Sequence, residues 1–552
     1  MNSKKITPLS RLWSLLRPNR NDIKQIYAYA IFSGLISLSL PLGIQAIVNL
    51  IQGGQVSTSW IVLVFMVVIG VILSGILQVY QMRISEKIQQ EIFTRATFDF
   101  AYRLPKLKWK ELVNKYAPEL VNRFFDTLTI QKGLSKILID FTAAVVQIFF
   151  GLMLLSFYHP VFILFSIFLL ITLAIIIQFT AKPGLNTSLQ ESKFKYKVAY
   201  WLEEVARVSQ TFKMAGNALL PLQKADSTVN EYLDSRQSHF KILVQQYGLL
   251  IFFKVLVISG LLGLGGFLVI EQSMNIGQFI AAEIIILLVI SSTDKVIQSL
   301  ETIYDVLTAL EKIGQVTDLE LEEQTGLKLT SKQLREGAGI ELNNLDFKYY
   351  HAIHHTIKNL SFSIPPNSKI LVTGTPGSGK STLLKIIAGT YVPTRGAVLI
   401  NKLPLLNYEV EGLRSHMGLM LKQDIIFEGT LKENITLGRP DIAQEDITWA
   451  IHGLNLVDDL SSLPKGLDSH LSPTNVYMGH NVIQKIKLAR AIVTKPAVLI
   501  LDQPLEHLSP KEREFISHFL MQPEHNWTII AVSDCPHFTP LVDQVIDLNL
   551  KK

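Results

Sequence analysis

Gly374-Thr375-Pro376-Gly377-Ser378-Gly379-Lys380-Ser381 follows the apolar run Lys369-Ile370-Leu371-Val372 and leads into Thr382-Leu383-Leu384. Strand, then GxxxxGK[ST], then helix is among the more specific short sequence patterns. Its glycines let backbone N–H groups close on phosphate oxygens, and the following helix offers the positive end of its dipole. Lys380 is placed to reach the β- and γ-phosphates. Ser381, beside Thr382, supplies a hydroxyl to Mg²⁺. A second apolar strand, Leu499-Ile500-Leu501-Asp502, ends in a carboxylate suited to orient the Mg²⁺ shell. These residues predict an α/β P-loop domain that holds ATP and Mg²⁺. The residue after Asp502 is Gln503, where such a site normally carries a catalytic glutamate. An amide can hydrogen-bond the attacking water but cannot accept its proton at neutral pH.

The rest of the chain is of another kind. At 552 residues it is long enough for two to four domains. Mean hydropathy is +0.30 and charged residues make up 18%, but the average hides a partition. Residues 25–82 and 141–181 contain no Asp, Glu, Lys or Arg, and residues 255–293 contain only Glu271 and Glu283. Each block is about two bilayer crossings long, at roughly 20 residues per helix. Gln52-Gly53-Gly54-Gln55, His159-Pro160 and Glu271-Gln272-Ser273-Met274-Asn275 mark the turns. Six α-helical spans are therefore expected, over 27–50, 60–81, 138–157, 161–181, 248–270 and 276–297. Three nearly uncharged hairpins of this length exceed what soluble cores use.

Orientation follows from Lys and Arg. The three turns contain none, whereas segments 83–140 and 182–254 contain 11 and 10, and the N-terminus adds Lys4, Lys5, Arg11, Arg17, Arg20 and Lys24. The positive-inside rule makes both termini and both long loops cytoplasmic in a multi-pass membrane protein. Loops facing an anionic leaflet account for the net charge of +6, so no nucleic-acid partner is implied. The single Cys535 excludes an intramolecular disulfide and fits a reducing cytosol. The first apolar segment is too long for a signal-peptide core and reads as a retained anchor.

Segment 83–136 reads as helix broken near Pro105 and Pro118, and 186–247 reads similarly. Helices two to five should thus project beyond the bilayer, with short tip helices near 106–118 and 194–204 that dock on another domain. The sixth helix continues from Ile297 to Val316. Asp318-Leu319-Glu320-Leu321-Glu322-Glu323-Gln324 reads as a solvated connector. The expected map is a membrane domain over 1–316, a linker over 317–337 and a nucleotide-binding domain over 338–552. In that last domain strands are expected at 340–342, 360–364, 369–372, 397–400, 499–502 and 527–532.

With these motifs on one chain, the sequence resembles ATP-binding-cassette (ABC) exporters whose membrane and nucleotide-binding halves are fused. The resemblance covers nearly the whole chain. Tyr349, in Asp346-Phe347-Lys348-Tyr349, matches the aromatic that stacks on adenine. Gln423, before Phe427-Glu428-Gly429-Thr430-Leu431, matches the glutamine that touches Mg²⁺ and the attacking water and relays to the membrane loops. Leu463-Pro464-Lys465-Gly466-Leu467-Asp468 and Lys485-Ile486-Lys487-Leu488-Ala489-Arg490-Ala491 also match. Gly277-Gln278-Phe279-Ile280-Ala281-Ala282-Glu283 is similar to bacterial type I secretion and peptide exporters.

The departures are specific. Gap-free spacing from Leu463 and Leu488 places Met478-Gly479-His480-Asn481-Val482 where the family carries LSGGQ, which caps the γ-phosphate held by the opposite subunit. The look-alike Leu471-Ser472-Pro473-Thr474-Asn475 is seven residues out of place. Asp534 stands where the family has a histidine contacting the γ-phosphate, and Ser509 replaces an aspartate. With Gln503 these losses fall on hydrolysis, while the binding groups stay intact. The resemblance implies a homodimer, or a heterodimer with another ABC half-transporter, and allows a periplasmic adaptor. It implies export of a peptide, protein or lipid-like cargo. A hydrolysis-deficient, ATP-binding structural or regulatory subunit of a transport or secretion complex fits the same residues.

Two charges stand in the spans. Glu283, about seven residues into the sixth helix, marks a pathway, a proton site or a buried partner, or else is a carboxylate at the outer mouth of a cavity or one neutral by protonation. Lys254, near the cytoplasmic end of the fifth, is expected to snorkel.

Overall fold

The computed structural model describes residues 7–52, 58–113, 115–328, 337–350, 352–461, 463–473 and 478–549. Lys4 and Lys5, Gly53-Gly54-Gln55 of the first turn, part of the expected linker (329–336), and Thr474-Asn475 of the look-alike segment lie outside the described residues. The chain divides into two compact units, Met1–Leu321 and Glu322–Lys552.

The first unit is all helix: α1 (Pro8–Leu16), α2 (Arg20–Ser37), α3 (Ser39–Gln52), α4 (Thr58–Arg103), α5 (Trp109–Leu112), α6 (Ala117–Asn122), α7 (Asp126–Lys136), α8 (Thr142–Ser156), α9 (Pro160–Arg207), α10 (Ser209–Met214), α11 (Leu220–Gly260), α12 (Gly266–Ile270) and α13 (Ile276–Thr317). Among the described residues six stretches are long and apolar enough to cross a membrane, and each covers one expected span, the third ending one residue short of 157. The first is broken between α2 and α3, just ahead of Pro41, which has no N–H to bond the preceding turn. π-helical turns at Ile137–Phe141 and Leu261–Gly265 sit within the third and fifth.

Long side chains tie the helices together where glycine gives room. A Cβ on Gly184 of α9 would lie 2.5 Å from the Tyr304 ring of α13. The Tyr304 hydroxyl accepts from Gln246 of α11 at 2.8 Å and donates to the Thr180 carbonyl at 3.4 Å.

Three expectations change. The second tip helix is not 194–204, which lies inside α9. The chain turns only after Arg207, and the short helix is α10, followed by Gly216 at φ +70°. Nothing in 194–204 breaks a helix, whereas Gly216 and Pro221 do. The acidic stretch is exposed at Asp318, Glu320 and Glu323, as expected of a connector, but its carboxylates are paired. Asp318 binds the Arg11 guanidinium through two bonds of 2.8 and 2.5 Å, Glu320 pairs with Lys108 and Lys110, and Glu322 accepts two bonds from Arg414. Lys254 does not snorkel alone. Its Nζ lies 2.6 Å from Asp294 of α13, a carboxylate that burial in lipid would otherwise strand.

The second unit holds every strand expected there. A four-stranded antiparallel sheet runs β2-β1-β4-β5, from β1 (Ile340–Phe347), β2 (Ile357–Ile364), β4 (Arg395–Ile400) and β5 (Leu403–Pro404). A five-stranded sheet runs β11-β3-β10-β9-β6, from β3 (Lys369–Thr373), β6 (Met417–Met420), β9 (Val498–Asp502), β10 (Thr528–Val532) and β11 (Gln544–Asp547). β7 (Gly429–Thr430) and β8 (His470–Leu471) form a small ribbon. The helices are α14 (Lys380–Ile387), α15 (Val410–Ser415), α16 (Leu431–Thr436), α17 (Gln444–Gly453), α18 (Val457–Ser461), α19 (His480–Ile492) and α20 (Pro510–Leu520). All neighbours in the larger sheet are parallel. β9 and β10 are buried throughout, as apolar runs without alternation require. In register, Val372, Val532 and Asp502 end side by side, so the loops after three strands open on one edge.

Candidate nucleotide-binding site

The phosphate loop joins β3 to α14. Gly374, Gly377 and Gly379 have φ of +147°, +83° and +100°, which only glycine adopts without strain. A Cβ on Gly374 would lie 2.6 Å from Ser378 Oγ, and one on Gly379 3.2 Å from the Thr356 carbonyl. The Ser378 hydroxyl is buried with no hydrogen-bond partner among the described residues. The Lys380 ammonium turns into the loop, donating to Gly374 O and Thr375 O. Thr375 itself bonds Asn549 through its N–H and hydroxyl, which fixes the far side, where Pro376 follows. An unmatched buried hydroxyl, a charged donor and a glycine cradle fit a phosphate chain.

Ser381 and Thr382 open α14. The Tyr349 hydroxyl lies 2.8 Å from Thr382 Oγ1, and its ring meets Phe347 and Tyr391 edge-on at 5.1 and 5.8 Å. The aromatic expected at adenine is thus anchored directly to the first turn of the phosphate-loop helix. Asp502 ends β9 and is buried. Gln423, after β6, accepts from Lys385 Nζ at 3.2 Å. Burial lowers the pKa of Lys385, with Asp502 pulling the other way. Sequence reading missed Lys385. Its signal is a second lysine five residues beyond Lys380 on a short helix.

Gln503 has φ +55°, a left-handed conformation that costs a non-glycine residue roughly 1–2 kcal/mol. Its neighbours hold it there. Its N–H donates to Val532 O at 2.8 Å. Its carbonyl accepts from Gln484 Nε2 at 2.8 Å, and the same amide donates to Pro504 O at 3.0 Å. Gln503 Nε2 donates to Asp534 Oδ2 at 2.8 Å, and the Asp534 N–H donates to Gln503 Oε1 at 3.3 Å. Sequence reading treated these two residues as separate losses; they bond to each other.

The 478–482 segment begins α19. Gly479 is its N-cap, with φ −60°, so no left-handed backbone is used there. Met478 and Val482 pack on the core. The His480 ring lies 5.3 Å from that of His507, and a Cβ on Gly479 would meet Asn481 Oδ1 at 2.4 Å. Arg490, in the last turn of α19, pairs with Asp424 and bonds the Asn434 carbonyl, holding the segment after Gln423 in place. Ser509 caps α20 in a reciprocal pair with Glu512. Glu283 lies apart in the first unit, exposed, with no hydrogen bond or ion pair among the described residues.

The phosphate loop, the aspartate-ended strand and the six spans together define an ABC-type membrane protein. The family model for the ABC transporter transmembrane region matches residues 26–293, and that for the ABC transporter matches 357–506. The chain belongs to the ABC transporter family and carries its membrane region and its nucleotide-binding domain on one polypeptide. It is 27% identical over 288 residues to the ATP-dependent lipid A-core flippase of Burkholderia orbicola, covering 51% of this chain and 48% of that protein. It is 29% identical over 280 residues to the alpha-hemolysin translocation ATP-binding protein HlyB of Escherichia coli O157:H7, covering 50% of this chain and 39% of that protein. The chain thus spans under half the length of both relatives. Its fold matches a bacterial Atm1-family ABC exporter solved with ATP bound, at TM-score 0.82 and 16% identity, over 96% of this chain and 94% of that one.

Proposed function

We propose that the chain is one half of a dimeric ABC exporter of a bacterial inner membrane, with both termini cytoplasmic, that moves a peptide, protein or lipid-like cargo. The observation that carries the reading is the intact glycine cradle around Lys380 and the unpartnered Ser378 hydroxyl, on the same chain as six spans. In this reading Lys380 and the loop hold the phosphates of ATP, Ser381, Gln423 and Asp502 hold Mg²⁺, and Tyr349 packs on adenine. Export of cargo is supported by the relatives, whose names describe a lipid flippase and a toxin translocator.

A second reading, that ATP is bound but hydrolysed slowly or not at all, is favoured by the Gln503–Asp534 ring, which ties up both groups at the hydrolytic position. In a dimer that pairs each loop with the opposite 478–482 segment, the departures on this chain would affect both sites of a homodimer. ATP binding and ATP turnover by the purified chain, alone and with candidate half-transporter partners, test both readings. Absence of Mg-dependent ATP binding would overturn the first. Turnover at ordinary exporter rates by the homodimer would overturn the second.

A further inference from the structure

The membrane unit holds an open cavity of about 550 Å³ where α2, α4, α7, α8 and α13 meet. Its wall carries Lys132 and Lys136 from α7, Lys295 from α13, one carboxylate, Asp140, and the amides Gln81 and Gln147. Among the described residues none of the three ammonium groups makes an ion pair or hydrogen bond. The same unit pairs charge readily elsewhere, as at Lys254–Asp294 and Arg11–Asp318. Lys132 and Lys136 lie four apart on one helix face, an arrangement in which like charges repel. Lys295 adds a third positive charge from a different helix.

Of the two amides, Gln147 is set as a donor, whereas Gln81 Nε2 already donates to the Ile26 carbonyl at 3.4 Å. Ser292 donates to Gln147 Oε1 at 2.9 Å, which leaves the amide N–H₂ for another acceptor. The wall includes the π-helical turn Ile137–Phe141, which carries Asp140. Such turns within α-helices recur at functional sites. Lys132 and Lys136 precede the third expected span, and Gln81 and Lys295 close the second and sixth. The three lysines therefore lie at the membrane edge that the Lys and Arg bias assigns to the cytoplasm, and the cavity runs inward from them to Gln147, within the third span.

We infer that this cavity receives a phosphate group, that of an anionic lipid headgroup in the cytoplasmic leaflet or of a soluble phosphate-bearing molecule, as the polar end of the cargo. Three ammonium groups and the Gln147 amide supply the charge-assisted bonds that a phosphate oxyanion accepts. The inference rests on the exporter reading and gives its cargo a chemistry.

The test uses the purified full-length chain in detergent, with fluorescent phosphatidylglycerol and fluorescent diacylglycerol, which lacks the phosphate, as probes and inorganic phosphate as competitor. Wild type should bind phosphatidylglycerol roughly tenfold or more tighter than diacylglycerol, the scale of one lost charge-assisted bond. Lys132→Gln/Lys136→Gln/Lys295→Gln should abolish the preference, Lys295→Gln alone should reduce it, and Lys136→Arg should keep it. Displacement by inorganic phosphate would support a soluble source, and a preference that phosphate leaves intact would support the lipid. Equal binding of the two lipids by wild type, or a preference that survives in both Gln variants, would overturn the site. ATP binding is measured on the same samples: its loss in wild type would strike the exporter reading, whereas lysine-independent lipid binding beside intact ATP binding strikes this inference alone.

Discussion

Gln503 and Asp534 close a two-bond ring between the loops after β9 and β10, with Nε2 to Oδ2 at 2.8 Å and the Asp534 N–H to Oε1 at 3.3 Å. The ring relies on the amide, because an amide, unlike an ionised carboxylate, both donates to Asp534 and accepts from the backbone. A glutamate at 503 would set a second negative charge against Asp534. The two departures from the family pattern are therefore complementary. Independent decay of a catalytic site would leave mismatched neighbours, whereas these match.

Substituting Lys380→Ala should weaken Mg·ATP binding about ten- to a hundredfold. The ammonium is the charged donor aimed into the loop, and a charge-assisted hydrogen bond is worth roughly 1.5–3 kcal/mol. Titration with a fluorescent ATP analogue checks it. Equal affinity in wild type and variant would remove Lys380 from the site.

The six spans, the strands and the phosphate loop were legible because each rests on a local pattern: uncharged runs of bilayer length, apolar strand runs, and glycines at fixed spacing. What the sequence hid were pairings made across the fold. Lys254 looks like a lone charge until Asp294, forty residues on, meets it from another helix. The acidic stretch 318–324 looks like a row of unpaired charges until Arg11, some three hundred residues earlier, binds Asp318. The second tip was misplaced because 194–204 carries a strong helical pattern with no breaker, and the real signal was Gly216. Gln503 and Asp534 were each readable as departures, but their mutual bonds depend on β9 and β10 lying side by side.

Reporter tags after His159 and Met274 should report outside the cytoplasm, and tags near Lys213 and at the C-terminus inside. The turns carry no Lys or Arg, while the long loops are rich in both. A cytoplasmic His159 would overturn the map.

The cassette should gain stability as pH rises from about 8 toward 10.5. Lys369, the first residue of β3, is buried, and its Nζ donates to the Trp527 and His525 carbonyls. Burial lowers its pKa from 10.5 to about 8, with Asp543 opposing. Between those values the unfolded chain binds a proton that the native state does not, so stability rises with pH. Below about 8 both states are protonated and the cost of a buried charge is fully present. The thermal midpoint of full-length wild type should therefore climb relative to Lys369→Met across this window. A constant difference between the two would show that the lysine is not perturbed.

Restoring the catalytic carboxylate alone should not restore turnover. Gln503→Glu supplies a group able to orient and deprotonate water, but it replaces the amide that donates to Asp534 at 2.8 Å. Two carboxylates at that distance cannot both stay ionised, so one takes a proton or the ring opens. The new base is thus neutralised or displaced by its neighbour. Asp534→His removes that conflict. In a homodimer the opposite 478–482 segment must also be rebuilt, with Gly479→Ser, His480→Gly and Asn481→Gly together. A side chain on Gly479 would meet Asn481 Oδ1 at 2.4 Å, the movable end of a side chain that Asn481→Gly removes. Groups acting as a unit are strongly non-additive, and repairing one recovers little while others are missing. The expected order is near-background ATPase for wild type and Gln503→Glu, and a clear gain only when Gln503→Glu, Asp534→His and the rebuilt segment are combined. Steady-state phosphate release by the full-length dimer measures it. Full activity from Gln503→Glu alone would show that Asp534 and the 478–482 segment do not limit hydrolysis.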